Sequence, residues 1–211
     1  MAAQGGASTH ARSVRTWDGT CGGAPTVFAT VGGVDLDVRA GAVLAVTGDG
    51  ARAALAAVAC AVRIGDHVLA GLPDPDDAAL RRRLVGTVRT DHHLVPSLTA
   101  HENTALPLEL DGWDRADARD AARTALRRVG LAHRGDAFPD ELGDDERRAV
   151  ALARSVVGDR LLVLADDPRD LLQTTLLRRL ADDGVAVLAR TTALVRPTWA
   201  DRLVVVPAAH L

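Results

Sequence analysis

The sequence predicts an α/β fold in which helices flank a mostly parallel sheet. Nearly continuous apolar runs, typical of parallel strands covered on both faces, lie at 43–46, 161–165 and 185–189, and a fourth is expected at 203–206. Helical patterns separate these runs, and strands that alternate with helices favour a doubly wound parallel sheet. With 211 residues, of which 47% are hydrophobic, the chain is long enough to form a compact core.

The first part of the chain predicts a tail followed by a half-buried strand. Residues 1–12 are mostly small and polar, as in a disordered tail. Within 27–38, apolar and charged residues alternate from 34 to 39, which is typical of a strand with one buried face. The strand is expected to end before a turn at Gly41.

Helices are predicted between the apolar runs. Asp114 is placed to cap a helix whose apolar residues share one stripe, and Gly130 is placed to end it. Residues 146–157 and 171–180 show a similar periodicity. The stretch 94–143 departs from the strand–helix alternation, so we expect a mostly helical insertion there. The stripe consists of Ala118, Ala121, Ala122, Ala125 and Val129.

Composition and charge exclude several classes of function. The net charge of −3 and the pI near 6.1 leave no basic footprint, so nucleic acid is not an expected partner. Cys21 and Cys60 belong to no metal-binding or redox motif. The longest apolar run, 53–62, is far shorter than the ~20 residues of a membrane helix, and residues 1–14 lack the apolar centre of a signal peptide. We therefore expect a cytoplasmic protein.

The glycine turn after the first apolar run has the setting of a phosphate-binding loop without its usual functional groups. The 25 basic residues are all arginine, so no lysine is present to reach a phosphate. Arg52 stands at the lysine position, and Ala53 and Ala54 offer no hydroxyl for Mg²⁺. Arg52 keeps the positive charge, but its planar fork is not a compact ammonium group. A plain strand-to-helix turn is favoured.

Four landmarks follow one another along the chain. They are the glycine loop at 48–54, Leu94-Val95-Pro96-Ser97-Leu98-Thr99-Ala100-His101-Glu102-Asn103, Pro139-Asp140-Glu141-Leu142-Gly143-Asp144-Asp145-Glu146-Arg147-Arg148, and Leu161-Leu162-Val163-Leu164-Ala165-Asp166-Asp167-Pro168. In this order and spacing, they resemble the ATP-binding subunits of ABC transporters, most nearly the lipoprotein- and macrolide-exporter type. The resemblance covers about Val14 to the C-terminus.

The resemblance implies a P-loop NTPase-like sheet with an N-terminal antiparallel β portion. It implies an ATPase-like core at 13–93 and 155–211, with a helical signature subdomain and its return helix at 94–154. ATP and Mg²⁺ are the implied ligands. The nucleotide-binding positions carried over from the family are Trp17, Gly48, Asp49, Gly50, Ala51, Arg52, Ala53, Ala54, Leu142, Gly143, Asp144, Asp145 and Glu146.

Several of these positions depart from the family pattern. Trp17 could stack on adenine or could equally be a packed or surface residue. The phosphate loop is about two residues shorter than in the family, and Asp49 adds a negative charge beside the expected phosphate. In the signature segment, Asp144 and Asp145 would face a polyanion. One such unit pair at ~4 Å costs about 4 kcal/mol at an effective dielectric of ~20, so we expect weak or lost ATP binding.

The expected catalytic positions are also altered. Asp166 matches the carboxylate that holds Mg²⁺ in the family. Asp167 replaces the catalytic Glu and is one methylene shorter, and such a displacement can lower a rate by orders of magnitude. Thr90 stands at the position of the glutamine that senses Mg²⁺ and attacking water, and Thr192 stands at the position of the switch histidine. Both positions lose the expected contact.

The sequence therefore predicts a nucleotide-binding-domain-like subunit that docks on a membrane permease as a pseudo-ATPase. It would pair with a second, intact ATPase subunit or with itself, and it would lie at the inner face of the cell membrane. One alternative is an active ATPase that uses Arg52 and Asp167 in altered roles, and another is a regulatory or scaffold protein. A metal cluster of His92, His93 and His101 is disfavoured, because adjacent histidines point in different directions.

Overall fold

The computed structural model describes most of the sequence that carries these predictions. The described residues are 27–31, 33–59, 63–64, 67–68, 75–88 and 93–208. Several sequence predictions lie outside these residues and stay predictions. They concern the tail at 1–12, Trp17, Cys21, Cys60, Thr90 and His92.

The described residues form nine strands and six α-helices. The strands are β1 (Val27–Val31), β2 (Val34–Val38), β3 (Val43–Thr47), β4 (Arg63–Ile64), β5 (His67–Val68), β6 (Val85–Val88), β7 (Leu162–Asp166), β8 (Ala186–Arg190) and β9 (Arg202–Val205). The helices are α1 (Ala51–Ala59), α2 (Pro75–Leu84), α3 (Ala100–Leu110), α4 (Arg115–Arg128), α5 (Asp144–Val156) and α6 (Leu171–Asp182). Short 3₁₀ turns cover Ala132–Arg134 and Pro139–Glu141.

A parallel sheet of five strands forms the centre of the fold, in the order β6-β7-β8-β3-β9. Antiparallel pairing joins β1 to β2 and β4 to β5. The predicted α/β class, with its parallel sheet and N-terminal antiparallel portion, is therefore confirmed. Because the strands are parallel, their carboxyl ends meet at one edge of the sheet, which we call the carboxyl edge.

Alternating side chains of the central strands pack into two separate cores. Leu44 and Val46 of β3 face the core that contains α1 and the β1–β2 hairpin. Val43 and Ala45 face the opposite core, which is formed with α3, α4, α5 and α6. The apolar residues of β7 and β8 divide in the same way. Burial on both faces explains why these strands are nearly continuous apolar runs.

The helix α4 has the cap and the stop that the sequence predicts. The Asp114 side chain accepts a hydrogen bond from the N–H of Ala116 at 2.8 Å. Gly130 follows the helix with a φ of +80°, a left-handed conformation that glycine adopts without a steric penalty. Four residues of the predicted stripe are buried, and Ala121 packs against the same core.

The helix α5 begins at Asp144, two residues before the predicted start. The carboxylate of Glu146 accepts a hydrogen bond from the backbone N–H of Gly143 at 2.9 Å, so Gly143 caps the helix and both aspartates fall in its first turn. The start at 146 was predicted from the periodicity of the apolar residues, which does not include this cap. The helix α6 ends at Asp182, two residues beyond the predicted end at 180.

Buried polar contacts fix the segment 93–110, which consists of α3 and the loop before it. Asn103 is fully buried, accepts the N–H of Val95 at 2.7 Å, and donates to the carbonyls of Val95, Leu98 and Thr99. Thr99 and Glu102 form a reciprocal capping box at the start of α3. The loop at 95–99 is therefore held in place by the first turn of the helix that follows it.

Among the described residues, no helix is both long enough and apolar enough to cross a bilayer.

Candidate functional site

The carboxyl edge of the sheet brings together two of the predicted motifs and an arginine that lies between them. Thr47 ends β3, Asp166 ends β7, and Arg190 ends β8, which lies between them. In the strand register, Arg190 is the partner of Val46 on one side and of Asp166 on the other. The phosphate loop and the two acids of the last motif therefore share one edge.

The predicted phosphate loop is a tight turn from β3 into α1. Gly48 has a φ of +92°, and its carbonyl accepts the N–H of Ala51 at 3.0 Å. The helix begins at Ala51, so no extended loop separates the strand from the helix. Asp49 and Arg52 are exposed at this turn.

The chain after β9 packs directly against this turn. The N–H of Gly50 donates to the carbonyl of Val206 at 3.0 Å, and the N–H of Val206 donates to the carbonyl of Thr47 at 2.8 Å. A Cβ on Gly48 would lie 2.6 Å from the Val206 oxygen, and one on Gly50 would overlap the Pro207 carbonyl. Both glycines are therefore required by this close contact, and the N–H of Gly50 is used within the protein.

Asp166, the predicted Mg²⁺ ligand, is paired with an arginine of the neighbouring strand. Arg190 Nε donates to Asp166 Oδ1, and the two side chains are only 18% and 24% exposed. They are opposite one another in the parallel register of β7 and β8. The guanidinium thus lies against one of the two carboxylate oxygens that a cation bound to Asp166 could use.

Asp167, at the position of the catalytic Glu, is paired with a second arginine. Arg169 Nε donates to Asp167 Oδ2 at 2.6 Å, and Arg169 Nη2 contacts the same oxygen. Asp167 is buried and has a φ of +56°, in a left-handed region that Asp enters more readily than most residues. Its N–H donates to the carbonyl of Arg190 at 2.9 Å, which ties the turn to β8.

Thr192, at the position of the switch histidine, has an exposed side chain. The preceding Thr191 is buried, and its N–H donates to the carbonyl of Val46 at 2.8 Å. The Thr191 hydroxyl accepts the N–H of Ala193 at 3.1 Å. The backbone here extends the link between β8 and β3, and the exposed hydroxyl of Thr192 offers no group that titrates near neutral pH.

The signature segment places its two aspartates on the surface at the start of α5. Asp144 is paired with Arg147 and Asp145 with Arg148, each three residues later. Leu142 is buried in the core beneath them. The first turn of a helix favours negative side chains, so these acids have a local structural role.

Glu146 completes this helix start. The hydrogen bond from the backbone of Gly143 lowers the pKa of the Glu146 carboxyl below its usual range, against a smaller opposing effect of burial. Arg134, 3.1 Å away, lowers it further. Among the sequence-predicted nucleotide positions, Glu146 is thus engaged with its own backbone and with Arg134.

The two strand-end carboxylates are not left open for Mg²⁺ in this arrangement of residues. Octahedral Mg²⁺ uses carboxylate oxygens, hydroxyls and water. Here both strand-end carboxylates are held by guanidinium groups, and Ala53 and Ala54 bring no hydroxyl. The described part of the chain contains no group of three or more His, Cys, Asp or Glu side chains that could hold a metal ion. His101 instead lies 3.5 Å from Asp136.

Sequence reasoning missed the partners that this edge uses. Arg190 follows directly on the apolar run 185–189, and a charged residue at the end of a buried strand was the available signal. Arg169 lies two residues after Asp167 and was not predicted as its partner. The contact of Val206 and Pro207 with the phosphate loop had no signal in the sequence, because it joins segments about 150 residues apart.

Comparison with known proteins identifies the family. The model of the ABC transporter family matches residues 58–170, more than half of the chain. The lipoprotein-releasing system ATP-binding protein LolD of Chromohalobacter salexigens is 39% identical over 165 aligned positions, and the match covers 72% of this chain and 70% of LolD. The uncharacterized ABC transporter ATP-binding protein YknY of Bacillus subtilis is 31% identical over 181 aligned positions, and the match covers 81% of this chain and 79% of YknY.

A solved structure has the same fold. It is the dimeric structure of a post-hydrolysis state of the ATP-binding cassette MJ0796 bound to ADP and Pi. The TM-score is 0.71, with 86% of this chain and 92% of that chain covered, at 22% identity. Together with the family match and the two relatives, the fold shows that the chain belongs to the ATP-binding subunits of ABC transporters and has a LolD-like nucleotide-binding domain.

Proposed function

We propose that this chain is an ABC transporter subunit that docks on a membrane permease and hydrolyses ATP weakly or not at all. The observation that carries the proposal is the pairing of both strand-end carboxylates with arginines of the same chain, Asp166 with Arg190 and Asp167 with Arg169. In the family, these two positions hold Mg²⁺ and support hydrolysis.

The pairing of Asp166 opposes metal binding on electrostatic grounds. A Mg²⁺ ion at this carboxylate must either displace Arg190 or lie beside it. Two like unit charges ~4 Å apart repel by about 4 kcal/mol at an effective dielectric of ~20, and Mg²⁺ carries two charges. The pair is shielded from solvent, so screening by water and salt is weaker here than at the surface.

The phosphate loop supports the same conclusion. Working loops direct several backbone N–H groups toward the phosphates. Here the N–H groups of Gly50 and Ala51 donate to carbonyls of the protein, and Asp49 is exposed at the turn. Binding ATP in the family's manner would require Val206 to release Gly50. We therefore propose that ATP binding is weak or lost.

Docking is supported by the well-formed segment 93–110. In the family, the region after the glutamine position forms the groove that receives a helix of the permease. Asn103 and the Thr99 capping box fix this region, and Pro96 and Ser97 are exposed on its loop. We propose that 94–154 is the helical subdomain that carries this surface, with the ATPase-like core at 13–93 and 155–211. The chain would then act at the cytoplasmic face of the membrane.

The proposed partners follow from the altered motifs. A subunit that cannot hydrolyse ATP needs a second, intact ATPase subunit if transport is to be driven by ATP. The relatives that carry the name of a lipoprotein-releasing system suggest a permease of that type. A homodimer would leave no hydrolysing site and would make the chain a docking element alone.

Steady-state turnover of Mg-ATP by the purified full-length chain tests the central claim. Enzymes typically turn over at about 10 s⁻¹, and we expect less than about 1% of that rate. Because Asp166 is engaged by Arg190, Asp166→Asn should leave the residual rate unchanged. A rate near 10 s⁻¹ that Asp166→Asn abolishes would overturn the proposal.

Docking is tested separately by co-purification with a co-expressed permease of the lipoprotein-exporter type. Ser97→Arg should reduce the recovered complex at least about tenfold, because it places a large cation on the proposed docking loop. Ala40→Arg is the matched control, since Ala40 is exposed in the turn before the amino end of β3. Equal loss with both variants, or with neither, would count against this surface.

A further inference from the structure

We infer that Arg190 is a built-in counter-cation that takes, at Asp166, the place of a divalent metal ion. The chain would thereby exclude the metal that the family uses at this edge. The inference rests on the proposed function, because it takes the carboxyl edge as the nucleotide edge of the family.

Strand pairing fixes the position of Arg190 on both sides. It is the register partner of Asp166 in β7 and of Val46 in β3. Its carbonyl accepts the N–H of Asp167 at 2.9 Å, and the N–H of the next residue, Thr191, donates to Val46 at 2.8 Å. The backbone that carries the guanidinium is therefore held by the sheet itself and not by a loop.

The environment of the pair distinguishes it from ordinary surface ion pairs. Both side chains are less than one quarter exposed, which holds for no other Arg–Asp or Arg–Glu pair among the described residues. By contrast, the Arg148 and Asp145 side chains are 45% and 95% exposed. A shielded carboxylate needs a compensating cation, and arginine is less strongly hydrated than lysine and so better suited to such a site.

The guanidinium of Arg190 lies on the face of the sheet where a nucleotide-bound metal ion would lie in the family. By the two-residue alternation of a strand, Arg190 and Asp166 lie on the same face as Leu188 and Leu164, which pack in the core that contains α1. A metal ion held by Asp166 would therefore lie on the side of the sheet where the phosphate loop enters its helix. Arg190 occupies that direction with a permanent positive charge.

Removing only the charge of Arg190 should open the metal site. In Arg190→Gln, Asp166 keeps its position in β7 but loses its cation. Binding of Mn²⁺, the probe ion, is measured by water-proton relaxation, with no nucleotide present. We expect Arg190→Gln to bind Mn²⁺ at least about tenfold more tightly than the unaltered chain. Arg190→Gln/Asp166→Asn should lose that gain, which assigns the new affinity to Asp166.

Two further variants separate this role from a merely structural one. Arg190→Lys keeps the positive charge and should gain no Mn²⁺ affinity. Arg202→Gln is the matched control, because Arg202 pairs with Asp37 at 2.6 Å, away from the carboxyl edge, and it should also gain none. Cooperative thermal unfolding establishes that each variant is folded.

The inference is overturned if the unaltered chain binds Mn²⁺ as tightly as Arg190→Gln, or if the lysine variant gains as much as the glutamine variant. It is also overturned if folded Arg190→Gln gains no affinity. If that last result is found and ATP turnover is still absent, the proposed function would be supported by the structure of the phosphate loop alone. Rapid ATP turnover by the unaltered chain would instead remove the proposed function itself.

Discussion

The carboxyl edge of the sheet and the segment 93–110 use their polar groups in different ways. In the segment 93–110, polar groups satisfy near neighbours, as Asn103 does for Val95, Leu98 and Thr99. At the carboxyl edge, Arg190 reaches back 24 residues to Asp166, and Val206 reaches back to the phosphate loop. The segment 93–110 has the contacts of a well-formed surface. At the carboxyl edge, groups of the chain itself contact the positions that a ligand would use.

This difference supports the proposal that the chain departs from its family at the nucleotide site and not at the docking surface. A docking surface needs only a stable shape, and local hydrogen bonds supply that shape. A nucleotide site needs donors, carboxylates and hydroxyls that are left open for a ligand. At the carboxyl edge such groups are either missing, as at Ala53, or engaged, as at Gly50 and Asp166. We propose that the same fold thereby keeps the docking function and loses the nucleotide-binding function.

The largest expected effect comes from breaking the segment 93–110 at its centre. In Asn103→Leu, the N–H of Val95 and the carbonyl of Leu98 lose buried partners, and each orphaned group costs about 1–3 kcal/mol. We expect the free energy of unfolding to fall by about 3 kcal/mol in denaturant titrations. Thr124→Ala, on the exposed face of α4, is the control and should cost less than about 0.5 kcal/mol. A loss below about 1 kcal/mol in Asn103→Leu would mean that this network does not organise the segment.

The next effect probes the closed phosphate loop. A Cβ on Gly50 would overlap the Pro207 carbonyl and lie 2.7 Å from Cγ1 of Val206, so Gly50→Ala should lower the free energy of unfolding by about 2 kcal/mol. Gly143→Ala is the matched control in the other nucleotide motif, because its nearest neighbour would be 3.8 Å away. We expect a change below about 1 kcal/mol there. Equal effects would show that the C-terminal segment does not close the loop.

The smallest effect is a pH dependence of the segment 93–110. Hydrogen bonds from the backbone and the hydroxyl of Thr99 lower the pKa of Glu102 below its usual range. A lowered folded-state pKa gives stability that is present above the unfolded pKa, near 4.5, and is lost as the pH falls through the folded pKa. Glu102→Gln should therefore cost about 0.5–1 kcal/mol at pH 7, through the capping box, and progressively less below about pH 4.

Thermal unfolding from pH 3 to pH 7 checks this prediction. Glu109→Gln, on the same helix, is the control, because its carboxylate only pairs at 3.7 Å with Arg115. A gap between the unaltered chain and Glu102→Gln that stays constant down to pH 3 would contradict the proposed titration.

Sequence reasoning recovered the strands β3, β7, β8 and β9 and the helices α4, α5 and α6 to within about two residues. The cap at Asp114, the stop at Gly130 and the apolar runs of β3, β7 and β8 each depend on residues within a few positions of one another. The start of α5 was placed two residues late, because the cap is made by the backbone of Gly143 and the carboxylate of Glu146. At the carboxyl edge, the sequence indicated Asp166 and the glycine loop. It did not indicate the residues that contact them.

The sequence by itself determined the α/β class, the family resemblance and the loss of lysine, hydroxyl and histidine groups at the expected ligand positions. These properties reside in residue types and local periodicity. Only the tertiary structure decided that Arg190 neutralises Asp166, that Arg169 neutralises Asp167, and that Val206 closes the phosphate loop. The physical reason is that strand order and register, which follow from packing the two cores, bring distant residues within hydrogen-bond range.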